Sequence, residues 1–293
     1  MKPIVTVGLD SRAESLSAAR WAAREAQSRG AVLRILHAGP AGPDDTPPTA
    51  DGGEGGAGDG RRGLPRWVME RARIVVEERC PGLPVTEELT EGDPVESLLA
   101  AAEDSQAVVL GSRDMVPMAG YYLGDIGLRV VARADAPVVL VRAREATGPS
   151  VEDGPVVLGL SLEGPCEALC EFAFDTAARR GVLLRAVHGR SLPDDAYTRS
   201  GVDARASRRA TERAQTELAE ALRPWREKFP QVRTAERVRT ESPAQAVVRG
   251  ATGAGLLVVG RRRNRPALSP PVGHALSSAM HHAPCPVTVV PHG

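Results

Sequence analysis

The sequence predicts an α/β protein built from two doubly wound, open, parallel five-stranded sheets, and two observations carry that expectation. The first is an internal repeat. Residues Ala107 to Val141 read AVVLGSRDMVPMAGYYLGDIGLRVVARADAPVVLV, and Leu257 to Val290 read LVVGRRRNRPALSPPVGHALSSAMHHAPCPVTVV. Each is an apolar β-branched run ending in Gly, a loop with Arg and Pro, a Gly opening a helix, then Ala-Pro and a second apolar run. Gly111 and Gly260, Gly124 and Gly273, and Pro137 and Pro286 are each 149 residues apart, so no insertion separates these landmarks. The second observation is that short apolar runs alternate with helix-period segments through both halves, the order of βαβ units around a parallel sheet.

Composition sets the class. The chain has 293 residues and 42% apolar content, enough for two ordinary domains. The expected boundaries are 1–143 for the first domain, 144–154 for a linker and 155–293 for the second. Formal net charge is zero, with 37 basic and 37 acidic residues, so nothing global favours nucleic acid or an anionic membrane. No apolar run approaches the ~20 residues of a membrane span, and the start lacks a charged-then-apolar leader. Four cysteines are too few for a disulfide framework at this size. A cytoplasmic protein is expected.

In chain order, Pro3 to Leu9 (PIVTVGL) is a buried-strand run with Asp10 at its end. Ser15 to Arg29 is an amphipathic helix, with Leu16, Ala19, Ala22, Ala23 and Ala26 at spacings of three and four. Gly30 is placed as its C-terminal stop, and Ala31 to Ala38 is the next strand. Gly39 to Gly63 has no apolar periodicity and reads as a mobile loop inside the first domain. A helix from Pro65 to Arg79, a strand from Leu83 to Leu89 and a helix from Val95 to Glu103 lead into the first repeat stretch.

The second half repeats the order. Pro155 to Leu160 is a strand, with Ser161 where Asp10 stood; Glu163 to Arg180 is a helix stopped by Gly181; Val182 to His188 is a strand. A long Arg/Glu-rich helix, Ala204 to Lys228, replaces the glycine loop. A strand from Val232 to Val238 and a helix from Pro243 to Gly250 precede the second stretch. All strands are expected to be parallel, and a ligand should lie beyond their C-terminal ends.

Those ends carry the candidate chemistry. In the first half they deliver Gly8, Leu9, Asp10, Ala38, Leu110 and Gly111, with Asp114, Gly124, Asp125 and Ile126 following. In the second they deliver Ser161, Val259 and Gly260, followed by Arg263, Gly273, His274 and Ala275. A Gly after a strand admits close approach of backbone N–H groups to a phosphate, and a Gly at a helix start aims free N–H donors at the same anion. An isolated pair of this kind more often reflects turn geometry.

The segments VGLDSRAESLSAARWAAREAQSRGAVLRILHA, EGDPVESLLAAAEDSQAVVLGSR and ADAPVVLV, with FAFDTAARRGVLLRAVHG, SPAQAVVRGATGAGLLVVGRR and HHAPCPVTVV in the second half, resemble the universal stress protein family in a tandem form, over nearly the whole chain. The resemblance implies an adenine nucleotide alpha hydrolase-like α/β domain, pairing through its final strand, and in many members ATP or AMP binding at a G-x2-G-x9-G-[S/T] signature. Both copies of the signature are altered. In the first, Gly111 and Gly124 match, but Asp114 and Asp125 put carboxylates where phosphates would lie, a costly arrangement in a partly desolvated site. Asp10 matches the acid that the family keeps after its first strand. In the second, Gly260 and Gly273 match, Arg263 and His274 suit an anion, and Ser161 replaces the acid. Arg261, Arg262 and Arg265 add positive charge. The expected function is a stress-response regulatory or protective module that binds adenine nucleotide in at least one domain. The alternatives are a nucleotide-free interaction scaffold and a weak ATPase using Asp10 and Asp125.

Other polar residues read as structural. His281, His282 and Cys285 fit no common zinc spacing, and no metal is expected. Cys166 and Cys170, four apart on a helix, read as helix-face packing. His37 and His188 occupy equivalent strand ends; the resemblance puts them near the nucleotide pocket, while the residues themselves favour satisfied strand-end histidines. Arg261 to Arg265 lack the aromatic platform of a nucleic-acid surface. No catalytic constellation is present.

Residues 137–141 and 286–290, the final strands, are apolar, and the resemblance puts them at sheet edges. They invite pairing with one another inside the chain, as a pseudo-two-fold dimer, or between chains as a homodimer. Deleting 286–293 is therefore expected to cause oligomerisation, measured by light scattering on a sizing column; a well-behaved monomeric truncation would contradict this.

Overall fold

The computed structural model describes residues 2–10, 13–39, 63–112, 125–142, 153–164, 166–191, 197–198, 201–263 and 272–293. The expected loop at 39–63 lies almost wholly outside these residues, as do Asp114 and Gly124. By compactness the chain divides into two units, Met1–Ala146 and Thr147–Gly293.

The first unit runs β1 (Ile4–Leu9), α1 (Ala13–Arg29), β2 (Val32–Ala38), α2 (Gly63–Arg79), β3 (Val85–Thr90), α3 (Pro94–Ala102), β4 (Ala107–Ser112), α4 (Asp125–Arg133) and β5 (Val138–Arg142). Its strands lie in the order β5-β4-β1-β2-β3, and every neighbouring pair is parallel. The chain winds outward from β1 in one direction through β2 and β3, then returns to the other side of β1 for β4 and β5. Helices α1 and α2 pack together, as do α3 and α4, so both faces of the sheet are covered. That explains why β1, β2 and β4 are almost continuously apolar: Val5, Val7, Leu33, Ile35, Val108 and Val109 have no solvent-facing side to alternate with.

The second unit repeats this with β6 (Val156–Gly159), α5 (Glu167–Arg180), β7 (Leu184–Gly189), β8 (Tyr197–Thr198), β9 (Gly201–Val202), α6 (Ala204–Lys228), β10 (Thr234–Arg239), α7 (Pro243–Gly250), β11 (Leu256–Arg262), α8 (His274–His282) and β12 (Val287–His292). Its sheet order is β10-β7-β6-β11-β12, again parallel at each pair. The expectation that all strands are parallel needs one correction: β8 and β9 form a two-residue antiparallel hairpin before α6. The α5 helix also begins at Glu167 rather than Glu163, because Gly164 at φ 96° takes the chain out of helical geometry.

Both first helices of the units stop by the same device. Gly30 and Gly181 sit at φ 60° and 63°, a left-handed conformation that other residues adopt only at a cost. The amide of Ala31 bonds the Ala26 carbonyl and that of Gly30 bonds Gln27; Val182 and Gly181 repeat this on Ala177 and Ala178. This is the Schellman pattern, which satisfies the final carbonyls of the helix.

The long α6 helix contains Pro224, which removes one internal hydrogen bond and clashes with the preceding turn, at a cost of about 3 kcal/mol in an isolated helix. Packing offsets it. Phe174 of α5 is fully buried, with ring centroids 6.3 Å from Trp225 and 5.8 Å from Phe229, on either side of the last turn of α6. Phe174→Ala is accordingly expected to destabilise the second unit by about 3–5 kcal/mol, read from urea unfolding followed by tryptophan fluorescence. A loss under about 1 kcal/mol would show that α6 is held some other way.

Candidate functional site

The second unit holds a cavity of about 760 Å³ at the C-terminal ends of β6, β7 and β11. Its position follows from the winding. The chain leaves β6 toward β7 on one side and later places β11 on the other, so the connections after β6 and β11 diverge and leave a crevice between them. Register shows where the two strands part: β11 pairs with β6 only as far as Val259 opposite Gly159, while β11 continues against β12 to Arg262 opposite His292.

Glycines make the strand ends narrow enough to build this crevice. A Cβ on Gly159 would lie 2.9 Å from Val247 of α7 and 3.2 Å from Val259, and one on Gly189 would lie 2.5 Å from the Ala246 Cβ. These glycines let α7 close against the sheet beneath the cavity. Gly8 does the same in the first unit, where its Cβ would meet Leu98 and Leu110 at 2.8 Å.

The histidine reading has a definite answer. Nδ1 of His188 lies 2.9 Å from the Leu160 carbonyl, and Nδ1 of His37 lies 2.9 Å from the Leu9 carbonyl. A carbonyl only accepts, so Nδ1 carries a proton in both rings. His188 lines the cavity.

At the opposite wall, α8 begins at Gly273, whose extended backbone (φ −73°, ψ 162°) lets the helix start without any side-chain cap. The first amides of a helix have no intrahelical partner, and here Gly273, His274, Ala275 and Leu276 line the cavity beside Gly260. Free donors and the positive end of the helix dipole therefore meet the strand-end glycine in one space.

The basic residues are less available than their number suggests. The Arg262 guanidinium donates to the Glu163 carbonyl across the β6–α5 turn. Arg190 approaches Glu217 of α6 at 3.9 Å, and Glu217 also bonds Arg213 at 2.8 Å. Arg261 is buried, and the Arg263 amide donates to the His292 carbonyl at 2.8 Å. The His292 ring rests on Gly260: a Cβ there would lie 2.6 Å from its Nε2 and 3.3 Å from Leu169.

Of the second-half candidates, Ser161, Val259, Gly260, Gly273, His274 and Ala275 line this cavity, and Arg263 does not. Gly8, Leu9, Asp10, Ala38, Leu110 and Gly111 stand at the ends of β1, β2 and β4, and Asp125 and Ile126 open α4. Asp10 is held in a turn: its amide donates to the Ser15 hydroxyl at 2.9 Å, and that hydroxyl donates to its carboxylate. Sequence reasoning missed Glu217 and His292, which reach the cavity from α6 and from the end of β12, and it read Cys166 as packing. Cys166 lines the cavity, and Cys170, one turn along α5, is fully buried behind it with the sulfurs 3.7 Å apart. The Cys170 thiol donates to Cys166, which lowers the Cys166 pKa to about 7 despite the neighbouring Glu167; the same bond and burial push Cys170 up. Among the described residues, no group of three or more His, Cys, Asp or Glu is placed to hold a metal ion, and no helix is long and apolar enough to cross a membrane.

The model of the universal stress protein family matches residues 1–142 and again 154–291. The chain belongs to the universal stress protein family. A universal stress protein of Mycobacterium tuberculosis (strain H37Rv) is 31% identical, the alignment covering 97% of this chain and 96% of that one. One from Mycolicibacterium smegmatis is 30% identical over 98% and 96%. Among solved structures, a universal stress protein from Archaeoglobus fulgidus superposes with a TM-score of 0.69 at 17% identity, covering 99% of this chain and 98% of that one, a likeness of fold.

The contact between His292 and Gly260 gives a direct test. Gly260→Ala is expected to cost about 1 kcal/mol by crowding the imidazole, and most of that cost should vanish in a His292→Ala background. Equal costs in both backgrounds, measured by urea unfolding, would show that Leu169 or the backbone sets the limit.

Proposed function

We propose that this chain is a stress-response regulatory or protective module that binds adenine nucleotide, as ATP or AMP, in the cavity of its second unit. One observation carries the reading: the uncapped N-terminus of α8 faces the same switch-point cavity as Gly260, in a volume within the range of small-molecule sites. The phosphates would lie against the amides after Gly273 and near His274. The nucleoside would lie toward Leu169, Val187 and Val259, which give the cavity its apolar part, with Nε2 of His188 beside them. Ser161 presents a hydroxyl where the first unit has the Asp10 carboxylate, which removes one negative charge facing an anion.

A second reading, a nucleotide-free interaction scaffold, is favoured by the way the site is already filled: His292 lies on Gly260, and Arg262 is engaged by the Glu163 carbonyl. Binding under the first reading requires His292 to swing away, which its place at the end of β12 permits.

Titration calorimetry with ATP, together with mass spectrometry of any nucleotide released on denaturation, separates the two. Nucleotide binding is expected in the parent chain, lost by at least tenfold in Gly260→Val and unchanged in Gly111→Val. Binding abolished only by Gly111→Val would move the site to the first unit. No heat and no released nucleotide would leave the scaffold reading.

A further inference from the structure

The duplication preserves register through the first strand, helix and second strand of each unit. Gly8, Gly30 and His37 correspond to Gly159, Gly181 and His188 at a constant spacing of 151 residues. In that register Ser15 corresponds to Cys166 and Ala19 to Cys170. The first unit has a hydroxyl bonded to the Asp10 carboxylate, and the second has two thiols with Ser161 in place of the acid.

We propose that Cys166 and Cys170 form a two-electron thiol–disulfide site in the wall of the cavity, oxidised by a small hydroperoxide. The geometry divides the labour between the two sulfurs. Cys166 is partly exposed and lines the cavity, so a small oxidant reaches it; Cys170 is fully buried and shielded. Cys166 is also the residue that caps the start of α5, with non-helical backbone (φ −134°, ψ 13°) and a side chain that makes no cap bond. The Cys170 S–H and the positive end of the helix dipole both favour the Cys166 thiolate, while partial burial and then Glu167, the adjoining charge, oppose it. Loss of the carboxylate that Asp10 supplies in the first unit removes a second opposing charge.

Bridging the pair from a sulfur separation of 3.7 Å takes a side-chain rotation together with a shift of the non-helical Cys166 backbone, which brings the two Cβ atoms closer. The Cys170 amide bonds the Cys166 carbonyl at 2.9 Å, which closes one helical turn between them. Four residues of helical rise are about 6 Å, within the Cα separation that disulfides span. Because Cys166 stands outside the helix, its side chain turns toward Cys170 without unwinding α5. In the first step the Cys166 thiolate attacks the hydroperoxide, the O–O bond breaks, and Cys166 sulfenic acid and an alcohol or water form after one proton is taken up. In the second, the Cys170 sulfur attacks the sulfenic sulfur, giving the disulfide and water. Two thiols have then supplied the two electrons that reduce one peroxide. Cys80 and Cys285, the other two cysteines, are buried and are not joined in a disulfide, and burial pushes the Cys80 thiol up.

The test is peroxide treatment of the intact chain followed by peptide mapping. Cleavage at Arg144 and Arg179 gives a peptide carrying Cys166 and Cys170 and no other cysteine. The expected result is loss of two hydrogens from this peptide, a fall from four to two titratable thiols in the denatured protein, and reversal by dithiothreitol. In Cys170→Ser, Cys166 should instead be trapped as a sulfenic acid by dimedone. An unmodified peptide, oxygen addition without hydrogen loss in the parent, or a disulfide between chains would overturn the proposal. The parent protein alone decides the matter should Cys170→Ser fail to fold, and none of these readouts depends on nucleotide binding.

Discussion

The site depends on how the first strand of each unit ends. At Gly159 the β6 strand parts from β11, and the Leu160 carbonyl would be left without a ladder partner at the mouth of the crevice. Nδ1 of His188 takes that carbonyl at 2.9 Å, from the neighbouring strand. Orphaned polar groups in partly buried positions cost roughly 1–3 kcal/mol, so this bond lets the strands separate while the backbone stays satisfied. The same bond joins His37 to Leu9. Its presence in both units explains the two histidines as part of the fold, and the free Nε2 of His188 becomes available to a ligand as a consequence.

From a shared frame the two units have diverged in charge. Asp10, tied to Ser15, keeps a carboxylate at the end of β1, and Asp125 opens α4. The second unit has Ser161 and His274 at the corresponding places, and its α8 amides face open space. Under the proposed reading the second unit gains from the loss of the Asp10 and Asp125 counterparts, while Glu163 and Glu217 still line its cavity and Arg190 and Arg262 are already engaged. Under the proposed thiol site, Ser161 in place of the acid spares Cys166 one opposing charge and leaves that of Glu167.

Much of the fold was legible because its causes are local. The β-branched runs, the alanine spacing of α1 and the glycine stops at Gly30 and Gly181 each act within a few residues, and the constant spacing of the repeat transferred one half's reading to the other. The start of α5 was misplaced because the helical pattern of apolar residues extends through a turn that Gly164 breaks. The β8–β9 hairpin, two residues per strand, is too short to show any period. In the site, Gly260, Gly273 and His274 were found through the repeat, since strand-end and helix-start glycines mark themselves. Glu217, His292 and the place of Cys166 in the cavity wall were not, because each reaches the cavity through tertiary packing that leaves no local pattern. Gly8 was named among the site residues, and its close approach to Leu98 and Leu110 gives the glycine a packing reason as well.

Amide chemical shifts during an ATP titration of the isotopically labelled protein test the central claim most directly. If the second-unit switch point holds the nucleotide, the amides of His274, Ala275 and Gly260 should move first and furthest, followed by the ring of His292 as it leaves Gly260. Shifts confined to Gly8, Asp10 and Gly111, or none at any of these positions at saturating ATP, would contradict the assignment.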